Sequence, residues 1–255
     1  MKVVILAGGF GTRLSEETAI IPKPMIEIGG KPLLWHLMKL FSHQGVNDFI
    51  VALGYKGEVI KRYFLDYPLL HSNLNIKFIN GSISSYPQFS EQWQLELVDT
   101  GFKTMTGGRL KRLNDRISET FILTYGDGLS NINVKELVAF HKSHGKLATV
   151  TAVKPTSRFG ILQKSKDNQV ISFSEKPDFQ NELVNGGFFV LEPEVLDYIN
   201  NDDTSWECEP CERLVSDGQM MAYHHKGFWQ CVDTLHELRL LRQMWESDKA
   251  EWKIW

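Results

Sequence analysis

The stretch that decides the fold is Val3–Leu14, which reads V-V-I-L-A-G-G-F-G-T-R-L, followed by P-K-P-M at residues 22–25. Its first four residues are apolar and mostly β-branched, which is typical of a strand buried on both faces of a parallel sheet. The glycines that follow have no Cβ, so their backbone can adopt positive φ and approach a ligand closely. Successive backbone N–H groups in such a turn form a concave anion site. The pattern therefore predicts a buried first strand that ends in a phosphate-binding turn.

Two cationic side chains accompany this turn. Arg13 offers a permanently charged fork that can bind two phosphate oxygens at once. Lys23 stands between Pro22 and Pro24, which restrict the backbone on both sides of it. Two common nucleotide motifs do not fit, because G-x-x-x-x-G-K-[ST] is absent and G-x-G-x-x-G fails at Leu14. The glycines alone are equally compatible with an ordinary βα connection, but with both cations we interpret the region as a triphosphate site.

Composition limits the possible functions. The chain has 255 residues, 42% of them hydrophobic and 23% charged, as expected for a globular protein with one large domain or a domain and a smaller lobe. The net charge of −3 gives no electrostatic support for nucleic-acid binding. The first residues resemble neither a signal peptide nor a membrane span. We therefore expect a cytoplasmic protein with no nucleic-acid or membrane partner.

Strand-like apolar runs alternate with amphipathic helical runs, which favours an α/β sheet with right-handed crossovers. We predict a Rossmann-like, mixed but mostly parallel sheet flanked by helices, with a smaller β-rich lobe and C-terminal helices. The predicted helices cover residues 31–43, 57–67, 134–144, 206–217 and 234–247. The predicted extended segments cover residues 48–53, 75–79, 120–124, 147–154, 160–163, 170–175 and 183–191.

Two aspartates lie where such a sheet would place ligands. Asp127 follows an apolar strand and stands between Gly126 and Gly128, at the strand end where open α/β sheets bind ligands. Asp233 precedes a predicted helix. Taken singly, Asp127 is compatible with a simple turn and Asp233 with a helix N-cap. Taken together, they form a carboxylate pair of the kind that holds Mg²⁺ with phosphate oxygens and water.

The cysteines do not form a disulfide framework, because there are only three of them, Cys208, Cys211 and Cys231. With the adjacent histidines 224 and 225 they could supply four zinc ligands on paper. No second C-x-x-C exists, and the first lies in a predicted helix, so reduced cysteines are the favoured interpretation. The aromatic C-terminus is too apolar to extend freely into solvent, and we expect it to pack on its own subunit or on a neighbour.

The motifs G-G-x-G-T-R-L and P-K-P-M resemble the signature of the sugar-phosphate nucleotidylyltransferases. These enzymes join a nucleoside triphosphate to a sugar 1-phosphate and release pyrophosphate. The resemblance implies a single nucleotidyltransferase domain over residues 1–255, with residues 1–145 mainly nucleotide-binding and residues 146–255 mainly sugar-phosphate-binding. It implies Mg²⁺ on Asp127 and Asp233, and a catalytic role for Arg13, Lys23 and Lys176. The implied nucleotide-binding residues are Leu6, Ala7, Gly8, Gly9, Gly11, Thr12, Arg13, Lys23, Thr104, Arg109 and Gly126.

Two further motifs concern the acceptor. E-K-P begins at Glu175, and N-G-G spans residues 185–187. In the family these motifs hold the sugar and its phosphate, so the resemblance assigns Glu175, Lys176, Asn185 and Gly187 to the sugar 1-phosphate. Without the resemblance, both motifs are more simply interpreted as turns.

The segment 98–112, V-D-T-G-F-K-T-M-T-G-G-R-L-K-R, indicates one branch of the family. From its residues alone it is a polar loop that could cover an anion, or a solvated basic loop. It closely resembles the branch that uses CTP with glucose 1-phosphate, as do W-E at 206–207, G-F-W-Q at 227–230 and W-K at 252–253. In that branch Thr104 and Arg109 would contact CTP. Cys211 and Cys231-Val232 depart from the branch pattern, but we expect neither to touch a ligand directly.

The resemblance implies the reaction CTP + α-D-glucose 1-phosphate → CDP-glucose + pyrophosphate, and a place in the synthesis of CDP-deoxysugars and surface polysaccharide. It also implies a homo-oligomer, with a hexamer as the suggested form. Three alternatives remain: the same chemistry with another acceptor or nucleotide, a non-catalytic nucleotide-binding regulatory homologue, and an NAD-dependent oxidoreductase. Leu14 argues against the last, and the intact set of Arg13, Lys23, Asp127 and Asp233 argues against the second.

Overall fold

A computed structural model describes residues 1–11, 14, 20–88, 90–155, 161–174 and 182–255. The sequence-predicted site residues Thr12, Arg13, Glu175 and Lys176 lie outside these described residues. The other predicted site residues are described and are located below.

The described strands are β1 Val3–Ala7, β2 Glu27–Ile28, β3 Lys31–Pro32, β4 Asp48–Leu53, β5 Ser72–Lys77, β6 Ser82–Pro87, β7 Gln94–Asp99, β8 Phe121–Tyr125, β9 Gly128–Ser130, β10 Ala148–Val153, β11 Ile161–Lys164, β12 Val170–Ser174, β13 Val184–Leu191, β14 Met220–His224 and β15 Trp229–Cys231. The described α-helices are α1 Leu33–His43, α2 Gly57–Leu70, α3 Thr106–Lys111, α4 Val134–His144, α5 Glu209–Ser216 and α6 Leu235–Glu246. Short 3-10 segments lie at Lys23–Met25, Asn114–Arg116 and Pro193–Tyr198.

The central sheet has seven strands in the order β14-β10-β13-β8-β1-β4-β7. Strands β8, β1, β4 and β7 run parallel, β13 is antiparallel to both β8 and β10, and β14 pairs parallel with β10. The predicted mixed, mostly parallel sheet is therefore confirmed. From β1 the chain proceeds through β4 to β7 on one side and then returns to β8 on the other side of β1. The carboxyl ends of β1 and β8 thus form a topological switch point, where open α/β sheets bind ligands.

The sheet is covered on both faces, which is why β1 is apolar at every position. Val3, Ile5 and Ala7 pack into the core on one face, together with residues of α1, α2, α4 and α6. Val4 and Leu6 pack into a second core on the other face, together with residues of α3 and α5. The five residues of β1 are all buried, as the opening motif predicts.

The predicted third strand at residues 75–79 is misplaced. The structure forms β5 there, pairing with β6 in a separate, exposed two-stranded sheet. The place beside β4 belongs to β7, whose Q-L-E-L-V-D sequence has polar residues at both ends and at Glu96 because it lies at the sheet edge. This strand is therefore not marked by a continuous apolar run. The helix predicted at 206–217 is also shorter, beginning at Glu209.

The C-terminal segment packs on its own subunit. Trp252 is buried, and its indole Nε1 lies 3.4 Å from Nδ1 of His36 on α1. Trp245 on α6 contacts the same imidazole, with ring centroids 4.9 Å apart. In the described part of the chain, no helix has the length and apolar content needed to cross a membrane.

Candidate active site

The glycine turn lies at the switch point, directly after β1. Gly8 is buried and Gly9 is exposed, so the turn passes from the core to the surface within two residues. Gly11 has a positive φ of 65°, which glycine adopts without strain. Across the switch point, Gly126 follows β8 and its N–H donates to the Leu6 carbonyl at 3.1 Å. The two strand ends are therefore hydrogen-bonded together at the site.

The P-K-P-M segment packs against the same place. It forms a 3-10 turn over Lys23–Met25, and all three of its residues are buried. A Cβ added to Gly126 would lie 2.7 Å from Cγ of Pro24, so the missing side chain at residue 126 makes room for the proline ring. This contact places Lys23 beside the residue that follows Gly126, which is Asp127.

Lys23 joins the two aspartates. Its Nζ lies 2.6 Å from Oδ2 of Asp127 and 2.7 Å from Oδ1 of Asp233, so all three charges meet at one point. The Lys23 side chain is only 11% exposed. Burial alone would lower the pKa of Lys23, but the two carboxylates raise it above its ordinary value. The lysine is therefore charged, and the two aspartates that stand 106 positions apart in the sequence are neighbours.

A short ladder holds the two aspartates in register. Strand β9 follows Asp127 and pairs antiparallel with β15, which precedes Asp233, and the Val232 N–H donates to the Asp127 carbonyl at 2.9 Å. The N-cap of α6 is Thr234, whose hydroxyl accepts from the Glu237 N–H in a capping box. The simple N-cap interpretation of Asp233 is therefore wrong, and its carboxylate faces Lys23 instead.

The donor set at this point fits a divalent cation bound with phosphate. Two carboxylate oxygens, one from each aspartate, converge on a single position now held by the Lys23 ammonium. Mg²⁺ commonly takes one or two carboxylates and completes its coordination with phosphate oxygens and water. Within the described residues, no cluster of three or more His, Cys, Asp or Glu side chains offers an all-protein metal cage. That finding also gives no support to the zinc alternative, and all three cysteines are free thiols.

Two cavities flank the Lys23–aspartate cluster. The first, which we call the nucleotide-side cavity, has a volume of about 410 Å³, and the second, the acceptor-side cavity, about 480 Å³. Tyr125, Asp127 and Asp233 line both. The nucleotide-side cavity also contains the predicted residues Leu6, Ala7, Gly8, Gly9, Gly11, Lys23, Thr104, Arg109 and Gly126. The acceptor-side cavity contains the predicted residues Asn185 and Gly187.

Arg109 braces the wall of the nucleotide-side cavity. Its side chain is buried, and Nη1 donates to the Leu53 carbonyl at 2.9 Å and to the Gly101 carbonyl at 2.6 Å. Nη2 donates to the Gly8 carbonyl at 3.0 Å. A Cβ on Gly8 would lie 2.3 Å from the guanidinium carbon, and one on Gly54 would lie 2.4 Å from Nη1. The two glycines thus leave the space through which Arg109 reaches the turn.

Several lining residues were missed by the sequence interpretation. Phe10 lines the nucleotide-side cavity and contacts Phe102 with ring centroids 5.1 Å apart. Tyr125, Glu207 and Trp229 line the acceptor-side cavity. The tripeptide Tyr125-Gly126-Asp127 offered a signal for Tyr125, because a side chain next to a ligand-binding strand end lines the same cavity as the ligand-binding residues. Phe10 lies inside the glycine turn itself, whereas Glu207 and Trp229 come from the distant motifs at 206–207 and 227–230, whose resemblance to the branch gave neither side chain a role.

Known proteins are similar to this chain in sequence and in fold. The family model described as nucleotidyl transferase matches residues 2–244. The chain is 51% identical to glucose-1-phosphate cytidylyltransferase of Salmonella typhimurium over the full length of both chains. It is 47% identical, also over the full length of both, to a probable glucose-1-phosphate cytidylyltransferase of Bacillus subtilis. Among solved structures, HddC from Yersinia pseudotuberculosis superposes with a TM-score of 0.68 at 25% identity, covering 96% of this chain and 99% of that one.

Proposed function

The chain belongs to the nucleotidyl transferase family, and from that premise we propose that it transfers the cytidylyl group of CTP to α-D-glucose 1-phosphate, giving CDP-glucose and pyrophosphate. The observation that carries the proposal is the Lys23–Asp127–Asp233 cluster between two cavities. One cavity can hold a nucleoside triphosphate and the other its acceptor, and the reacting phosphates would meet at the shared wall.

The chemistry needs no protein base. A phosphate oxygen of glucose 1-phosphate, already ionised at neutral pH, attacks the α-phosphorus of CTP, and the bond from that phosphorus to the bridging oxygen of pyrophosphate breaks. Catalysis then consists of positioning the two substrates in line and neutralising their charge. The glycine turn and Arg13 would hold the β- and γ-phosphates, and Lys23 would lie near the α-phosphate. Lys176 would hold the incoming phosphate.

Asp127 and Asp233 would hold Mg²⁺, and bound magnesium would neutralise phosphate oxygens of the nucleotide. In this proposal Lys23 is displaced from the aspartates toward the α-phosphate when the nucleotide binds. Asp127→Asn should raise the magnesium concentration needed for half-maximal turnover. An unchanged magnesium titration in that variant would remove Asp127 from the metal site.

The choice of cytidine and glucose rests on the relatives. The two full-length relatives, at 51% and 47% identity, are named for glucose 1-phosphate and cytidylyl transfer. The nucleotide-side cavity also contains Thr104 and Arg109, the two residues that the sequence resemblance assigns to CTP. Thr104 is buried at the cavity wall.

The direct test is a pyrophosphate-release assay with the four nucleoside triphosphates against a panel of sugar 1-phosphates. We expect release with CTP and glucose 1-phosphate, and at least tenfold lower kcat/KM with the other nucleotides. Release only with another pair would overturn the substrate assignment while leaving the reaction class. Binding of CTP without release by any pair would favour a regulatory homologue.

We also propose that the enzyme assembles as a homo-oligomer in the cytoplasm and supplies CDP-glucose for deoxysugar and surface polysaccharide synthesis. The β5–β6 hairpin supports the first part, because Phe78 and Ile79 at its tip are 92% and 97% exposed. Solvent-exposed apolar clusters of this kind mark protein contacts. Light scattering after size-exclusion chromatography tests this, with the double variant Phe78→Ser and Ile79→Ser expected to reduce the molar mass. An unchanged mass would place the contact elsewhere.

A further inference from the structure

A chain of hydrogen bonds runs along the wall of the acceptor-side cavity. The Tyr125 hydroxyl donates to Oε1 of Glu207 at 2.5 Å. The hydroxyl of Thr106 donates to the other oxygen, Oε2, at 2.7 Å. Thr106 lines the nucleotide-side cavity, whereas Asn185 and Glu207 line the acceptor-side cavity. Glu207 is therefore held from both sides by neutral hydroxyl donors.

The neighbouring glycines allow this arrangement. Gly187 has a positive φ of 78°, and a Cβ there would lie 2.7 Å from the Tyr125 ring. The Asn185 carbonyl oxygen Oδ1 accepts from the Gly187 N–H at 2.8 Å, which fixes the turn beside Tyr125. The N-G-G motif thus positions Tyr125, and Tyr125 positions Glu207.

A carboxylate held in this way is preorganised to accept further hydrogen bonds. Each carboxylate oxygen can accept two hydrogen bonds, so Oε1 and Oε2 each have one further lone pair. Glu207 is exposed, lines the acceptor-side cavity, and forms no ion pair with a described cation. The two other carboxylates of this cavity, Asp127 and Asp233, are both paired with Lys23. Glu207 is thus the carboxylate of this wall that a donor on the ligand can reach.

We propose that Glu207 is a specificity-determining residue that accepts a hydrogen bond from a hydroxyl group of the acceptor sugar. This inference rests on the proposed function. A sugar presents several hydroxyl donors, and a fixed charged acceptor discriminates between hydroxyl positions because a substrate without the matching hydroxyl loses the charge-assisted hydrogen bond. The Trp229 ring, fixed by its Nε1 donating to the Gly186 carbonyl at 2.7 Å, gives the same cavity an apolar wall for the C–H face of a sugar.

The test compares Glu207→Gln with the wild type and with the control Glu209→Gln. Glu209 is a nearby exposed glutamate that bonds Asn200 and lies outside both cavities. Steady-state kinetics would use CTP with glucose 1-phosphate and with its 2-, 3-, 4- and 6-deoxy analogues. Calorimetric titration of CDP-glucose and of CDP would measure the sugar contribution without turnover, and melting temperatures would monitor folding.

We expect Glu207→Gln to raise KM for glucose 1-phosphate about tenfold, because charge-assisted hydrogen bonds are about twice as strong as neutral ones. KM for CTP and affinity for CDP should stay within about twofold, and CDP-glucose should bind about tenfold more weakly. One deoxy analogue should be a poor acceptor for the wild type and lose little further in the variant. Glu209→Gln should match the wild type throughout.

Two results would overturn the inference while leaving the proposed function intact. One is an equal rise in KM for glucose 1-phosphate and all four deoxy analogues. The other is an equal weakening of CDP and CDP-glucose binding. Failure of the wild type to release pyrophosphate with any sugar 1-phosphate would instead overturn the proposed function itself. The wild-type arm therefore separates the two failures.

Discussion

The nucleotide-side and acceptor-side cavities share a wall but are built from different parts of the chain. The nucleotide-side cavity is lined in part by the glycine turn 8–11 and by Gly126, and the Gly8 carbonyl accepts a hydrogen bond from Arg109. The acceptor-side cavity is lined in part by polar and aromatic side chains, among them Asn185, Glu207 and Trp229. Phosphate is recognised by N–H groups that every residue carries, whereas sugar hydroxyls require particular side chains. The chemical groups that line each cavity therefore suit the ligand that we propose for it.

The largest expected effect comes from the shared wall. Lys23→Ala removes the cation that joins Asp127 and Asp233. We therefore expect kcat to fall by a factor of about 10²–10³, whether CTP or glucose 1-phosphate is the varied substrate. The control is Lys39→Ala, which removes another lysine ion pair, with Glu91 at 3.2 Å, away from both cavities. Quenched-flow measurement of pyrophosphate release checks this. Turnover within threefold of the wild type would show that the two cavities do not meet at Lys23.

The next effect should be confined to the nucleotide-side cavity. In Gly8→Ala the new Cβ would collide with the Arg109 guanidinium, 2.3 Å away, and overpacking of this kind costs about 1–3 kcal/mol. We expect KM for CTP to rise about tenfold or more while KM for glucose 1-phosphate stays nearly unchanged. The melting temperature of the ligand-free protein should fall in Gly8→Ala but not in Gly9→Ala, because a Cβ on Gly9 meets no atom of the described residues within 4 Å. Equal effects on both KM values would contradict the assignment of CTP and glucose 1-phosphate to separate cavities.

The mirror experiment targets the acceptor-side cavity and should have a somewhat smaller effect. In Gly187→Ala a Cβ would lie 2.7 Å from the Tyr125 ring, at a φ of 78° that costs a non-glycine residue about 1–2 kcal/mol. We expect KM for glucose 1-phosphate to rise about tenfold, with KM for CTP little changed. Gly218→Ala is the matched control, since Gly218 has a positive φ of 64° but no atom of the described part of the chain lies within 4 Å of its Cβ position. A rise in KM for CTP alone would reverse the assignment of the two cavities.

The smallest effect on turnover is expected for His36, which lies outside both cavities and affects the pH dependence of stability instead. His36 is fully buried among tryptophans, and burial lowers its pKa from 6.5 to about 4. Its Nε2 bonds the Ile28 carbonyl at 2.9 Å and its Nδ1 faces the Trp252 indole N–H, so the neutral ring with the proton on Nε2 suits both partners.

Because the pKa of His36 is lower in the folded state, the unfolded chain binds more protons between pH 6.5 and about 4. Stability should therefore be complete above pH 6.5 and decline as the pH falls toward 4, by about 3 kcal/mol in total from this group. Urea unfolding of the wild type and His36→Gln at pH 7 and pH 5 checks this, with a smaller pH dependence expected in the variant. The same dependence in both proteins would assign the acid sensitivity to other groups.

The contrast between the cavities also explains how far the sequence alone could lead. Residues 3–11, 22–25 and 126–127 are contiguous motifs next to buried strands, so the sheet core and the nucleotide-side cavity were predictable from local pattern. Strand β7 was missed because it lies at the sheet edge and its polar residues interrupt the apolar run that marks the buried strands. Glu207 and Trp229 were not recognised as acceptor-side residues, because they reach that cavity from segments more than 80 positions beyond Tyr125. Their convergence depends on the sheet order and not on any local spacing.

The central claim, that an acceptor phosphate attacks the α-phosphorus of CTP at the wall between the cavities, can be tested with isotope labelling. Glucose 1-phosphate carrying ¹⁸O in its three non-bridging phosphate oxygens would be incubated with CTP and magnesium, and the products analysed by mass spectrometry. The account predicts CDP-glucose that retains all three labelled oxygens and pyrophosphate that contains none. Label in the pyrophosphate, or the absence of CDP-glucose, would contradict it.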